Sequence, residues 1–82
     1  MKLAKFTKFR EEKFGGVLFE TRAEKVFTLN PTATAVVREI QRGSDMPLLL
    51  EHLRERFEDR GTLEPEALAF IAELRSQGLL EE

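Results

Sequence analysis

Few side chains in this 82-residue sequence could do covalent or acid–base chemistry, and none has the company that chemistry needs. His52 is the only histidine. His52-x-x-Glu55 puts an imidazole and a carboxylate on one helix face, which is half a metal site at most. Glu51, Arg54, Glu55 and Arg56 surround it, so a solvated helix face is the better explanation. Ser44 and Ser76 are the only serines. Ser44 suits a helix cap and Ser76 a helix end, and neither has a base nearby in sequence. Glu11 and Glu12 are adjacent carboxylates, but neighbouring strand residues point to opposite faces and form no acid/base dyad. Gly15-Gly16 lacks the Gly-Lys-Ser/Thr context of a phosphate loop. With no cysteine there is no disulfide, thiolate nucleophile or Cys-based zinc site. The inventory argues for a binding module with no catalysis, cofactor or metal of its own.

The chain length fits one small domain, residues 1–82, with a single modest core. Charged residues make up 34% and apolar residues 41%, a balance that argues against disorder. The longest apolar run, Ala67–Ala72, is six residues, far short of the ~20 residues that span a bilayer. The N-terminus alternates Lys with apolar residues and builds no signal-peptide block, so a cytoplasmic protein is expected. The formal net charge of −2 is unevenly spread. All five lysines and five of the seven phenylalanines (Phe6, Phe9, Phe14, Phe19 and Phe27) fall in residues 1–29, which carry a net +3; residues 30–82 carry −5.

The elements that must position any site follow from periodicity and punctuation. Lys5–Arg10 is a weak period-2 candidate, so residues 1–9 are either a first strand or a flexible arm. Gly16–Thr21 is β-branched and aromatic, and Lys25–Leu29 alternates cleanly. Asn30-Pro31 signals a helix start, with Ala33, Val36, Val37 and Ile40 at helical spacing and Gly43 beyond its end. Ser44 or Asp45 caps a second helix with Leu49, Leu50, Leu53 and Phe57 inward. Glu64-Pro65 opens a third, with Ala67, Phe70, Ile71 and Leu74 inward, and Gly78 folds Leu79 back onto the core. The order is βββααα: an α+β, winged-helix-like arrangement in which a three-stranded antiparallel sheet precedes a three-helix bundle. If the third strand is an edge, only Lys25 guards it and no charge stands in its interior, so it is an edge open to use.

A winged helix raises the question of DNA. The second helix sets Arg54 and Arg56 against Glu51, Glu55 and Glu58, and the third sets Arg75 against Glu66 and Glu73. Net acidic helices suit neither phosphates nor base edges. The basic residues lie in the strand half, where the phenylalanines are more simply core than base-stacking platforms. Nucleic acid is therefore an unfavoured partner, kept as a DNA-binding regulator.

Phe14-Gly15-Gly16-Val17-Leu18-Phe19, then Val26-Phe27-Thr28-Leu29-Asn30-Pro31-Thr32-Ala33, Gly43, Phe70-Ile71-Ala72-Glu73-Leu74 and Gly78-Leu79-Leu80 together resemble the PqqD family. These are the small peptide-binding proteins of pyrroloquinoline quinone biosynthesis and, more broadly, the recognition elements of ribosomally synthesised and post-translationally modified peptides. The resemblance runs from about Arg10 to Glu81. It implies that the chain binds the leader region of a precursor peptide and presents it to a modifying enzyme, often a radical S-adenosylmethionine enzyme. It also implies that the leader is added as a strand along the third strand, with side chains entering the groove beside the third helix. Carried onto this sequence, Lys25, Val26, Phe27, Thr28 and Leu29 supply the strand. Leu68, Ile71, Ala72 and Arg75 supply the helix wall, and Arg75 and Lys25 anchor acidic leader residues. Ile71 is better explained as core, Leu68 equally well so, and Arg75 and Lys25 equally well as solvated charge. Pro47 and the leucines that follow depart from the polar first turn expected of the family, and an exposed Leu48 would mark a docking face. The sequence leaves the oligomeric state and the identities of peptide and enzyme open.

Overall fold

The computed structural model describes all residues, Met1–Glu82. Two short end strands, β1 (Lys2–Leu3) and β5 (Leu80–Glu81), pair with each other. Between them run β2 (Thr7–Glu12), β3 (Gly15–Glu20) and β4 (Lys25–Leu29), then α1 (Pro31–Gln41), α2 (Met46–Arg56) and α3 (Leu63–Ser76). The second sheet has the order β2-β3-β4, antiparallel throughout. This is the winged-helix-like α+β fold expected, with two corrections. The opening residues are neither a free arm nor one strand. Lys2–Leu3 clasps Leu80–Glu81, Ala4 donates its N–H to the Leu79 carbonyl at 2.8 Å, and the sheet strand begins only at Thr7.

Local chemistry accounts for the element boundaries. Glu12 pairs with Gly15, so Lys13 and Phe14 form a two-residue hairpin turn. Gly15 has φ +147°, and a Cβ there would run into the Leu29 carbonyl oxygen; glycine lets β3 pass close to the end of β4. The Asn30 carboxamide oxygen accepts from the Ala33 N–H at 2.8 Å, and Pro31 fills the first helical position, so α1 begins where β4 ends. Asp45 rather than Ser44 caps α2, accepting from Leu48 at 3.0 Å. α3 closes at Gly78, φ +75°, where Gly78 donates to the Arg75 carbonyl and Leu79 to that of Leu74.

One core joins the sheet to the helices. Leu18 in the central strand is fully buried with Val36, Val37 and Ile40 of α1, Leu49 and Leu53 of α2, Ile71 of α3 and Leu79. Residues 9, 18 and 27 share a row in the register and face this core; residues 8, 19 and 26 share the next row and face away. The phenylalanines divide accordingly, which corrects their assignment to the core. Phe9 and Phe27 pack against it, whereas Phe14 at the hairpin tip is 54% exposed and Phe6 is also exposed.

Candidate functional site

β4 is bonded on one side only. Its partner is β3, and the clasp of β1 and β5 lies in a separate sheet, so nothing in the chain pairs with the outer edge. That edge carries unmatched main-chain groups over five residues, Lys25–Leu29. Lys25, Phe27 and Leu29 alternate onto the helix side of the sheet, Phe27 half-buried and Leu29 buried. Val26 and Thr28 project from the opposite face, and Val26 is 62% exposed, the most exposed large apolar side chain in the molecule. An added strand would find donors and acceptors along the edge and an apolar shelf beneath it.

Where β4 ends, a cleft of about 310 Å³ opens between the start of α1 and α3. Asn30, Ala33 and Val36 line one side and Glu66, Ala69 and Phe70 the other. Both β4 and α3 pack against α1, which spaces them. The α3 side of this cleft is the flank of Glu66 and Phe70, one turn apart.

The residues expected to form the helix wall are not brought together there. Ile71 is 2% exposed and belongs to the core. Leu68 lines a different depression with Arg54, Asp59 and Pro65, beside the end of α2. The Arg75 guanidinium pairs with Glu82 at 3.0 Å in a depression shared with Met1, Asp45 and Met46. Ala72, between Leu68 and Arg75 at helical spacing, shares their flank. The Leu68–Ala72–Arg75 face thus looks along α2, on the other side of the core stripe from Glu66 and Phe70. The inward placement read from the sequence holds for Phe70, which packs against the core while also lining the cleft; Glu66 reads in the sequence only as charge. Their i, i+4 spacing was the available signal, but it does not say which flank a neighbouring strand will occupy.

The residues weighed for catalysis serve structure. Glu39 of α1 is 3% exposed, and its Oε1 accepts from the Ser44 hydroxyl at 2.8 Å and from His52 Nδ1 at 2.6 Å. His52 is therefore not the solvated residue expected: it ties α2 to α1. Burial alone would push the Glu39 carboxyl up, but the hydrogen bonds from His52 and Ser44 outweigh it and hold it below the ordinary value. The bond to Glu39 holds the His52 imidazole above its ordinary value, against the opposing effect of burial. Glu11 and Glu12 point apart as expected, to Arg38 and Arg10 respectively. No three His, Cys, Asp or Glu side chains converge on a point that would hold a metal ion, and no helix is long and apolar enough to cross a membrane.

Against known families, residues 15–80 match the model described as coenzyme PQQ synthesis protein D (PqqD). The chain belongs to the PqqD family. No curated protein sequence matches it. Two solved structures share the fold of this PqqD-family chain. One, TbiB1 in complex with the TbiA(beta) leader peptide, aligns with a TM-score of 0.86 at 20% identity, over 99% of this chain and 95% of that one. The other, lasso peptide synthetase B1 complexed with the leader peptide, gives 0.84 at 22% identity, over 99% and 96%. The match to the PqqD model starts at Gly15, so it takes in β3 and β4 with all three helices and leaves out β2.

Proposed function

We propose that residues 1–82 act as one peptide-binding domain that takes the leader region of a ribosomally synthesised precursor peptide and presents it to a modifying enzyme. The leader is added as a strand on the free edge of β4, beside α3. Membership of the PqqD family supports this reading, as do fold neighbours solved with leader peptides bound. The single observation that carries it is the unpaired β4 edge, whose Leu29 end is held by the close approach of Gly15 and by the Asn30 cap. Main-chain pairing along Lys25, Val26, Phe27, Thr28 and Leu29 supplies affinity, and alternate side-chain positions supply selectivity. On α3 the reading uses Glu66 and Phe70, the flank that lines the cleft at the end of β4, in place of Leu68, Ala72 and Arg75. The chain performs no chemistry itself. The modifying enzyme is a radical S-adenosylmethionine enzyme, and the setting is the cytoplasm.

The test is a titration of the 15N-labelled chain with synthetic peptides translated from short reading frames beside its gene. A cognate leader shifts the amides of residues 25–29 and of the Glu66–Phe70 flank. Binding that leaves these amides unmoved, or that appears only with DNA and weakens steeply as salt rises, overturns the proposal.

A further inference from the structure

Two charges without an ion-pair partner stand near the ends of β4, although Glu20 lies opposite Lys25 in the register, its carboxylate taken by Arg22 and the Ala23 N–H. Lys25 begins the strand and is exposed. Glu66 lines the cleft beyond its far end, together with Asn30. Neither takes part in any of the molecule's ion pairs. Between them the helix side of the edge is apolar, through Phe27 and Leu29 and on to Ala33 and Phe70 in the cleft. Lys25 and Leu29 lie about 13 Å apart along the strand. An added strand rises at the same rate, so its inward side chains fall two residues apart and meet a cation, an apolar shelf and a carboxylate in succession.

Resting on strand addition at β4, we propose that this edge selects its peptide by charge order. It takes an antiparallel segment reading cation-x-apolar-x-anion from N- to C-terminus, with Lys or Arg at Glu66 and Asp or Glu at Lys25. The direction follows from the sheet, in which every pair is antiparallel, the slightly more stable ladder. A long cationic side chain suits the cleft, because its aliphatic stem lies along Ala33, Ala69 and Phe70 while its head reaches the Glu66 carboxylate. A peptide with the charges exchanged sets cation on Lys25 and carboxylate on Glu66, and these like-charge contacts reject it.

The probe is a random library of displayed peptides long enough to span β4, selected against the full chain and against the Lys25→Glu/Glu66→Lys double variant. Both are first checked for folding by circular dichroism; both substitutions fall on exposed positions. Enriched peptides are then titrated onto the 15N-labelled chain. The expected result is the order cation-x-apolar-x-anion for the natural chain and its reverse for the double variant. Exchanging the two charges within one enriched peptide weakens binding about three- to tenfold, and the difference shrinks as salt rises. Peptides that shift the β4 amides but carry no charge order, or the opposite one, overturn the selection rule and leave strand addition standing. Enriched peptides that do not touch β4, or an empty selection, overturn strand addition and the rule with it.

Discussion

The two edges of the central sheet are built from different materials. β2 carries Lys8, Arg10, Glu11 and Glu12 in six residues, with Arg10 bound to Glu12 at 2.7 Å and Glu11 tied to Arg38 of α1 at 2.5 Å. β4 carries one charge, Lys25, at its first residue, and then Val26, Phe27, Thr28 and Leu29. Charged side chains along an edge, held by partners, discourage a foreign strand; an uncharged edge beside a cleft admits one. The contrast is what the proposed strand addition rests on: of the sheet's two edges, only β4 is free of charge beyond its first residue.

The largest effect should come from proline. Proline at the β4 positions whose N–H points away from β3 should leave the circular dichroism spectrum unchanged and weaken leader binding by about a hundredfold or more, since each removes an edge donor and its ring blocks the approach. The same substitution at outward-facing positions of β2 should leave binding within about twofold. Equal losses at both edges would erase the distinction.

Next is Gly15→Val, which attacks the closeness of β3 to the end of β4. A side chain there meets the Leu29 carbonyl at a φ that favours glycine. The variant should lose about 2–4 kcal/mol of stability in denaturant titration. Its amide shifts should concentrate at residues 15, 16, 29 and 30 and spare Thr7–Arg10.

A third test separates the site from its support. Glu39 and His52 join α1 to α2 without touching either edge, so Glu39→Ala should cost about 1–3 kcal/mol of stability while leaving leader affinity nearly unchanged where the protein stays folded. The pH dependence has a definite sign. The folded state holds the His52 imidazole above its ordinary value, so that contribution is fully present below about pH 6.5 and fades as pH rises through the raised value. Glu39, held below its ordinary value, contributes above about pH 4.5 and is lost as pH falls through the lowered value. Unfolding midpoints should therefore peak in the mildly acidic range, and His52→Gln should remove the decline on the alkaline side. A decline that survives His52→Gln would assign it to other groups.

The smallest effect sharpens the contrast from the other direction. Val26→Lys gives β4 the guard that β2 already has. Val26 is exposed on the outer face, so stability should change by no more than about 0.5 kcal/mol. Self-association at high concentration, followed by light scattering, should fall, because a charged edge resists edge-to-edge pairing.

Most of the frame was legible in the residues. The alternation of Lys25–Leu29 and the Asn30-Pro31 start placed β4 and the head of α1 to the residue, because capping and period-2 patterning act over a few neighbours. Gly78 and the inward turn of Leu79 were legible for the same reason. The terminal clasp was not, since two-residue strands separated by nearly the whole chain leave no local pattern. His52 looked solvated because its neighbours in sequence are charged; its partner Glu39 lies on another helix.

Taken alone, the sequence marked the three helices and the two strands of the β3–β4 hairpin, and showed that the third sheet strand is uncharged beyond Lys25. Only the tertiary structure decided that the β4 edge stays unpaired and that α3 turns Glu66 and Phe70, rather than Leu68, Ala72 and Arg75, toward the cleft at its end. Periodicity fixes which stripe of a helix is buried. Which flank of that stripe meets a strand and which meets another helix depends on how the elements pack against one another, a property of the assembled core that no short window contains.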